Sequence, residues 1–294
     1  MAGTLLSGWV WSPLPVIALL ALVVAYVMAT VRVDHLQPMR PWPRTHTACF
    51  LAGVATMWLA ILGPPGAFDD VFFYAHMTQH ILLTMVAAPL LVLSDPLLLS
   101  LRTASRTFRK RWLNPVFRSR TAEVLTHPLV GWLFFTGVMA GSHIPAIYDF
   151  ALNHPFVHDF VEHPLYVASA LVYFYPLLAP TPVRRNMSHG LRALSVFTMM
   201  VPMAFLGFFI YAAPHLQYPF YAHVARPFGP GPLQDQQLSG ALMWSSAMIL
   251  GAVWFCVVGL RWLQAEERRS HRVDRAVARS IAAAHEPPRG GRAT

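Results

Sequence analysis

The sequence predicts an all-α fold, a polytopic membrane bundle of seven transmembrane helices with the N-terminus outside and the C-terminus in the cytoplasm. Three observations predict it. The 294 residues are 55% hydrophobic and only 12% charged, whereas soluble domains carry about 25% charged residues. Apolar stretches of roughly 20 residues, the length that crosses ~30 Å of hydrocarbon, recur along the chain. Basic residues crowd into alternate connections between those stretches, as they do in helical membrane proteins.

The opening stretch "MAGTLLSGWVWSPLPVIALL" has no basic segment ahead of its apolar run, and the first arginine is Arg32. It reads as a first span at 12–31 and not as a secretory signal. Further spans are expected at 47–63, 71–93, 128–144, 156–178, 191–212 and 237–260. The segment "GSHIPAIYDFALNHPFVHDFVEHPLY" joins the fourth to the fifth and has mixed polarity. Part of it is expected to form a short helix at the membrane surface. The seven-span domain covers 1–262, and 263–294 is a basic tail, helical at first and then disordered.

Orientation follows from the arginines. Arg32, Arg40 and Arg44 follow the first span. Arg102, Arg106, Arg109, Lys110, Arg111, Arg118 and Arg120 follow the third. Arg184, Arg185 and Arg192 follow the fifth, and the tail from Arg261 carries the rest. Of the 22 basic residues only Arg226 falls on the other side. The net charge of +9 therefore sets topology and attracts anionic lipid, and no nucleic acid is needed to explain it. Cys49 and Cys256 stand alone in apolar stretches with no C-x-x-C, so neither a disulfide framework nor a thiolate metal site is indicated.

The histidines are placed by this map. His35, His46, His127, His189, His271 and His285 fall on the cytoplasmic side. His76, His80, His143, His154, His158, His163, His215 and His223 fall at or near the outer face, with Asp69, Asp70, Asp149, Asp159, Glu162 and Asp235. Imidazoles and carboxylates with few cations suit a metal ion. His76/His80 and His154/His158 are spaced i, i+4, which stacks two imidazoles about 6 Å apart on one helix face. Ionisable groups inside a span point to function, although interhelical hydrogen bonding would also account for the first pair. His215 and His223 read as loop residues. Met77, Met85, Met199, Met200, Met203, Met243 and Met248 share these spans. Thioether with imidazole is a ligand mix suited to Cu(I), and methionine is equally a filler of apolar cores.

"HMTQHILLTMVAAPLLVLSDP" at 76–96 resembles the histidine signature of the multi-span CtaG family of cytochrome c oxidase assembly factors. "SHIPAIYDFALNHPFVHDFVEHPLY" at 142–166, "MMVPMAFLGFFI" at 199–210 and "DQQLSGALMW" at 235–244 are similar to its next three motifs, in order. Ser94-Asp95 departs from the family pattern, where glycine is commoner. The resemblance implies a role in maturing a haem–copper oxidase by supplying copper. It also implies the motif histidines His76, His80, His143, His158 and His163, with Asp235, Met203 and Met243 in the later motifs.

The leading expectation is a non-enzymatic copper-handling assembly factor of the bacterial cytoplasmic membrane. Cu(I) is held near the outer face by His76 and His80, completed by His143 and either His158 or His163. Met77, Met203 and Met243 supply softer positions, and Asp235 orients a ligand imidazole. The expected partners are haem–copper oxidase subunits, the lipid bilayer and an extracytoplasmic copper donor. A b-type haem-binding membrane oxidoreductase is a second reading, opposed by the i, i+4 pair, because axial haem ligands come from opposite sides of the macrocycle. A metal-free escort for oxidase subunits and a transporter are the others.

Overall fold

The computed structural model describes residues 8–180 and 187–284. Arg184, Arg185 and His285 lie outside them. Among the described residues helix is the only regular secondary structure. α1 spans Pro13–Leu36 and α2 Arg44–Leu62. α3, Phe73–Ile81, passes through a π-helical turn at Leu82–Ala87 into α4, Ala88–Leu93, and α5 follows at Pro96–Thr103. α6, Pro128–Ser142, bends by 73° into α7, Pro145–Leu152. α8 is His163–Leu178, α9 His189–Ala212 and α10 Pro232–Ala284.

Five helices are long and apolar enough to cross a membrane, and the bent pair α6–α7 raises the number to 6 if counted as one span. The expected fifth span is where the count differs. Helix runs unbroken from Pro155 through a π-helical turn at His158–Glu162 to the end of α8 at Leu178, but its first turns carry His158, Asp159, Glu162 and His163, and it is not among the helices apolar enough to count. The mixed segment before it does hold a short helix, α7. The last helix runs unbroken well past the expected end of its span, to Ala284.

Each helix start has a local reason. Proline occupies the first turn of α1, α5, α6 and α7, where its missing N–H costs nothing. Ser188 caps α9 by accepting from Leu191 N. Asp95, at the Ser94-Asp95 departure, is left-handed with φ 50° and caps α5 by accepting from Leu98 N at 3.3 Å. That backbone is one glycine adopts readily and aspartate tolerates.

The main core lies among α3, α6, α8, α9 and α10, and a smaller one joins α1 and α2 to α4 and α5. α9 and α10 cross closely. A Cβ added at Gly207 would stand 2.6 Å from the Trp244 backbone nitrogen, so this crossing requires a residue without a side chain. The start of α3, the end of α6, the approach to α8 and the start of α10 meet at one end of the bundle. Arg192 and Arg261 mark the other end, donating to the Leu177 and Leu178 carbonyls at the end of α8.

Candidate metal centre

At the first of those ends, five imidazoles from three segments come together. His76 and His80 stack one turn apart on α3, their ring centroids 5.6 Å apart. His143, which closes α6, lies 6.2 Å from His76 and 5.2 Å from His80. His158 lies 5.6 Å from His76 and 4.8 Å from His163. All five are buried. One ring nitrogen from each of His76, His158 and His163 falls within 4.8 Å of the others.

The π-helical turn at His158–Glu162 explains the last pair. An α-helix would send residues five apart to different faces. Hydrogen bonding from i to i+5 widens the turn and brings them onto one. His158 and His163 can then face the same point.

The ring nitrogens divide into those held by the protein and those left over. His158 Nδ1 pairs with Glu162 Oε2 at 2.7 Å, and Tyr166 Oη donates to the other oxygen of Glu162 at 2.7 Å. His143 Nδ1 donates to the Met139 carbonyl at 2.7 Å. A nitrogen fixed in this way leaves the opposite nitrogen of the ring free to accept. Both nitrogens of His76, Nδ1 of His80, and Nε2 of His143, His158 and His163 are buried without a hydrogen-bond partner in the protein. Asp69 Oδ2 stands 3.4 Å from His158 Nε2 and 3.9 Å from His163 Nε2. Both are ion-pair distances, longer than a well-formed hydrogen bond.

The remaining polar groups hold this arrangement in place. Tyr221 Oη donates to the Asp69 carbonyl at 2.7 Å, so Tyr148 donates to Tyr221, at 2.8 Å. The Tyr148 ring packs 4.7 Å from His76. Tyr218 Oη donates to the His143 carbonyl at 3.0 Å. Asp70, beside Asp69 at the exposed edge, has its carboxyl pushed up by the crowding behind it and by the Asp69 charge.

Asp235 differs from its expected role. Its two oxygens accept from Phe73 N at 2.9 Å and Tyr74 N at 3.0 Å, and from Arg226 Nη1 at 2.9 Å. The carboxylate therefore caps the first turn of α3, whose free N–H groups attract an anion. It fixes the helix that carries His76 and His80 and reaches no imidazole. The carboxylates that do reach imidazoles are Glu162 and Asp69. The i, i+4 spacing of His158 and Glu162 could have signalled the first. No local pattern signals Asp69, which is brought in by the turn ahead of α3.

The other expected residues divide. His154 is exposed and bonds back to the Phe150 carbonyl at 2.8 Å, outside the cluster. His215 and His223 are exposed. Met77 Sδ lies 3.0 Å from His80 Nε2. Met203 and Met243 line a small cavity beside His80.

Such a donor set is chemically able to bind a metal. Imidazole nitrogens, with carboxylates at the edge and thioethers behind, suit copper or zinc better than magnesium or calcium. Buried polar groups are ordinarily paired, and a bound cation is what would satisfy this many converging lone pairs together.

Among curated proteins the chain is similar to an uncharacterized protein of Mycobacterium leprae (strain TN), with 24% identity over 260 residues. The match takes in 86% of this chain and 39% of that protein, so the chain spans about two fifths of the length of the curated relative it matches. No solved structure matches it. The model of the cytochrome c oxidase caa3 assembly factor family, Caa3_CtaG, matches residues 24–265, which takes in every histidine of the cluster and all the helices that hold it. The chain belongs to the cytochrome c oxidase caa3 assembly factor family.

Proposed function

We propose that this protein is a membrane-embedded assembly factor for a haem–copper oxidase that carries copper as cargo on the imidazole cluster and releases it to the oxidase. One observation carries the reading: buried ring nitrogens of His76, His80, His143, His158 and His163 converge with no hydrogen-bond partner in the protein. Leaving such groups unpaired costs about 1–3 kcal/mol each, and a ligand they share offsets that cost. Family membership supports the oxidase as the recipient. Binding and release need no turnover chemistry, so the role is not enzymatic.

The five motif histidines form the centre. Glu162 fixes the His158 ring through Nδ1, which raises ligand basicity and orients the other nitrogen. Asp69 sits where an incoming cation first meets the imidazoles. The topology belongs to the same reading: seven spans over 1–262, N-terminus outside, a basic tail at 263–294 in the cytoplasm, and the cluster facing the extracytoplasmic side. Arg192 and Arg261 at the far end of the bundle support it through the positive-inside bias. Reporter fusions after Arg120 and after Arg226 test it, and identical sides for the two would refute it.

The centre is tested by metal analysis with a visible spectrum on protein purified from copper-supplemented cells, beside a His76→Ala/His80→Ala variant. Bound copper that the variant loses, with no Soret band, supports the reading. No copper in either protein overturns it in favour of a metal-free escort, and a Soret band overturns it in favour of a haem protein.

A further inference from the structure

Below the imidazoles lies a cavity that touches the cluster at His80. Its lining includes His80, Met85, Met139, Met203 and Met243, with the Thr84 hydroxyl already donating to the His80 carbonyl at 2.6 Å. All four methionines are buried, between 1% and 5% exposed. By the volume open to the centre of a water-sized sphere it measures about 20 Å³, room for one water or one ion.

Three local features bring these methionines to the cavity. Met85 is five residues after His80, across the π-helical turn at Leu82–Ala87, which brings residues five apart onto one face. Trp254 Nε1 donates to the Met85 carbonyl at 2.8 Å and holds that turn open. Met139 is four residues before His143, and its carbonyl holds the His143 ring. Met203 is one turn from Gly207, and Met243 is three residues after Gly240, so the close crossing of α9 and α10 sets these two side by side. Methionine is a common filler of apolar cores. Four of them around one cavity, beside an imidazole with an unpaired Nδ1, is a donor set and not a scattering.

From this we infer a second, deeper metal position, formed by His80 with Met85, Met139, Met203 and Met243 and selective for a soft monovalent cation, Cu(I) or Ag(I), over Zn(II) and Cu(II). Thioethers favour soft monovalent copper, while imidazole and carboxylate also accept borderline divalent ions. The two positions therefore form a graded pair: an outer one of His76, His158 and His163 edged by Asp69, and an inner one that discriminates by softness. The inference rests on the reading of the imidazole cluster as a metal centre.

The test uses the full chain in detergent, stripped with chelator, in a Cys49→Ala/Cys256→Ala background that removes competing thiols. Ag(I), a soft probe without redox chemistry, and Zn(II), a borderline one, are titrated separately. About two equivalents of Ag(I) and about one of Zn(II) are expected. Met203→Leu/Met243→Leu, a volume-conserving change, is expected to lose one Ag(I) and keep its Zn(II). His76→Ala/His158→Ala is expected to lose the Zn(II) and keep one Ag(I). Selenium-edge absorption on selenomethionine-labelled protein with Ag(I) needs no variant, and is expected to show silver as a neighbour of selenium. Equal Ag(I) in the wild type and the leucine variant, with no silver near selenium, overturns the inner position and leaves the outer centre standing. Failure to bind either metal overturns the outer centre, and the inner position with it.

Discussion

Replacing His76 with leucine should stabilise the metal-free protein while weakening its response to metal. His76 is fully buried on α3 and neither ring nitrogen has a hydrogen-bond partner in the protein. An unpaired buried polar group costs about 1–3 kcal/mol, and the imidazole carries two. Leucine removes both, and its imperfect fit costs less than about 1.5 kcal/mol, the bound for a swap of similar volume. With that bound deducted in full, the net gain runs from about 0.5 to 4.5 kcal/mol and centres on about 2.5, or roughly 5–10 °C in Tm at about 2–4 °C per kcal/mol. The assay is thermal unfolding in detergent, with chelator and then with Ag(I). A ligand at 100 times its Kd adds about 2.7 kcal/mol to a protein that binds it only when folded. The wild type should gain by that order and the variant by less, so their difference narrows or reverses with metal. A His76→Leu variant that melts below the wild type in chelator would refute the reasoning, because the ring would then be making interactions in the metal-free protein that leucine lacks.

Three further outcomes follow from the same structure. Asp235→Ala strips the cap from Phe73 N and Tyr74 N and leaves Arg226 without its carboxylate. Removing one partner of a buried ion pair costs about 3–5 kcal/mol, so melting should fall by that order, with Asp235→Asn falling less because its amide oxygen still accepts. Glu162→Gln keeps the shape beside His158 but weakens the hold on Nδ1, and metal retention measured against a Cu(I) chelator should drop about 10–100-fold. Asp70→Asn should stabilise the protein at neutral pH, since the folded state holds the Asp70 proton more tightly than the unfolded chain does. The advantage should shrink as pH falls through the raised folded pKa and vanish below the unfolded one, where Asp70 is neutral in both states. Melting curves of the pair across that range read it directly, and an advantage that grows on acidification would contradict the assignment.

The all-helical membrane class was legible because it depends on composition and on runs of apolar residues, both properties of the linear chain. The charge map put eight histidines on one side, where helices of a bundle bring their ends together, and the resemblance to the family's motifs singled out His76, His80, His143, His158 and His163 among them. His154 shared the i, i+4 spacing yet stayed outside, because it precedes the first helical turn after Pro155 and points back to Phe150. Asp235 was expected beside an imidazole. In the structure it caps α3, a role set by where the starts of α3 and α10 meet across 162 residues of sequence.

By itself the sequence determined the membrane class and the family, because hydropathy, charge bias and motif spacing are local or one-dimensional. Only the tertiary structure decided which carboxylates serve the five histidines, and which methionines gather behind them. Two π-helical turns, at Leu82–Ala87 and His158–Glu162, rotate everything after them relative to an α-helical register. Neither turn has a periodicity signal, and the first is held by Trp254, which donates to the Met85 carbonyl from 169 residues away. The faces on which Met85 and His163 stand were therefore fixed by contacts made on folding.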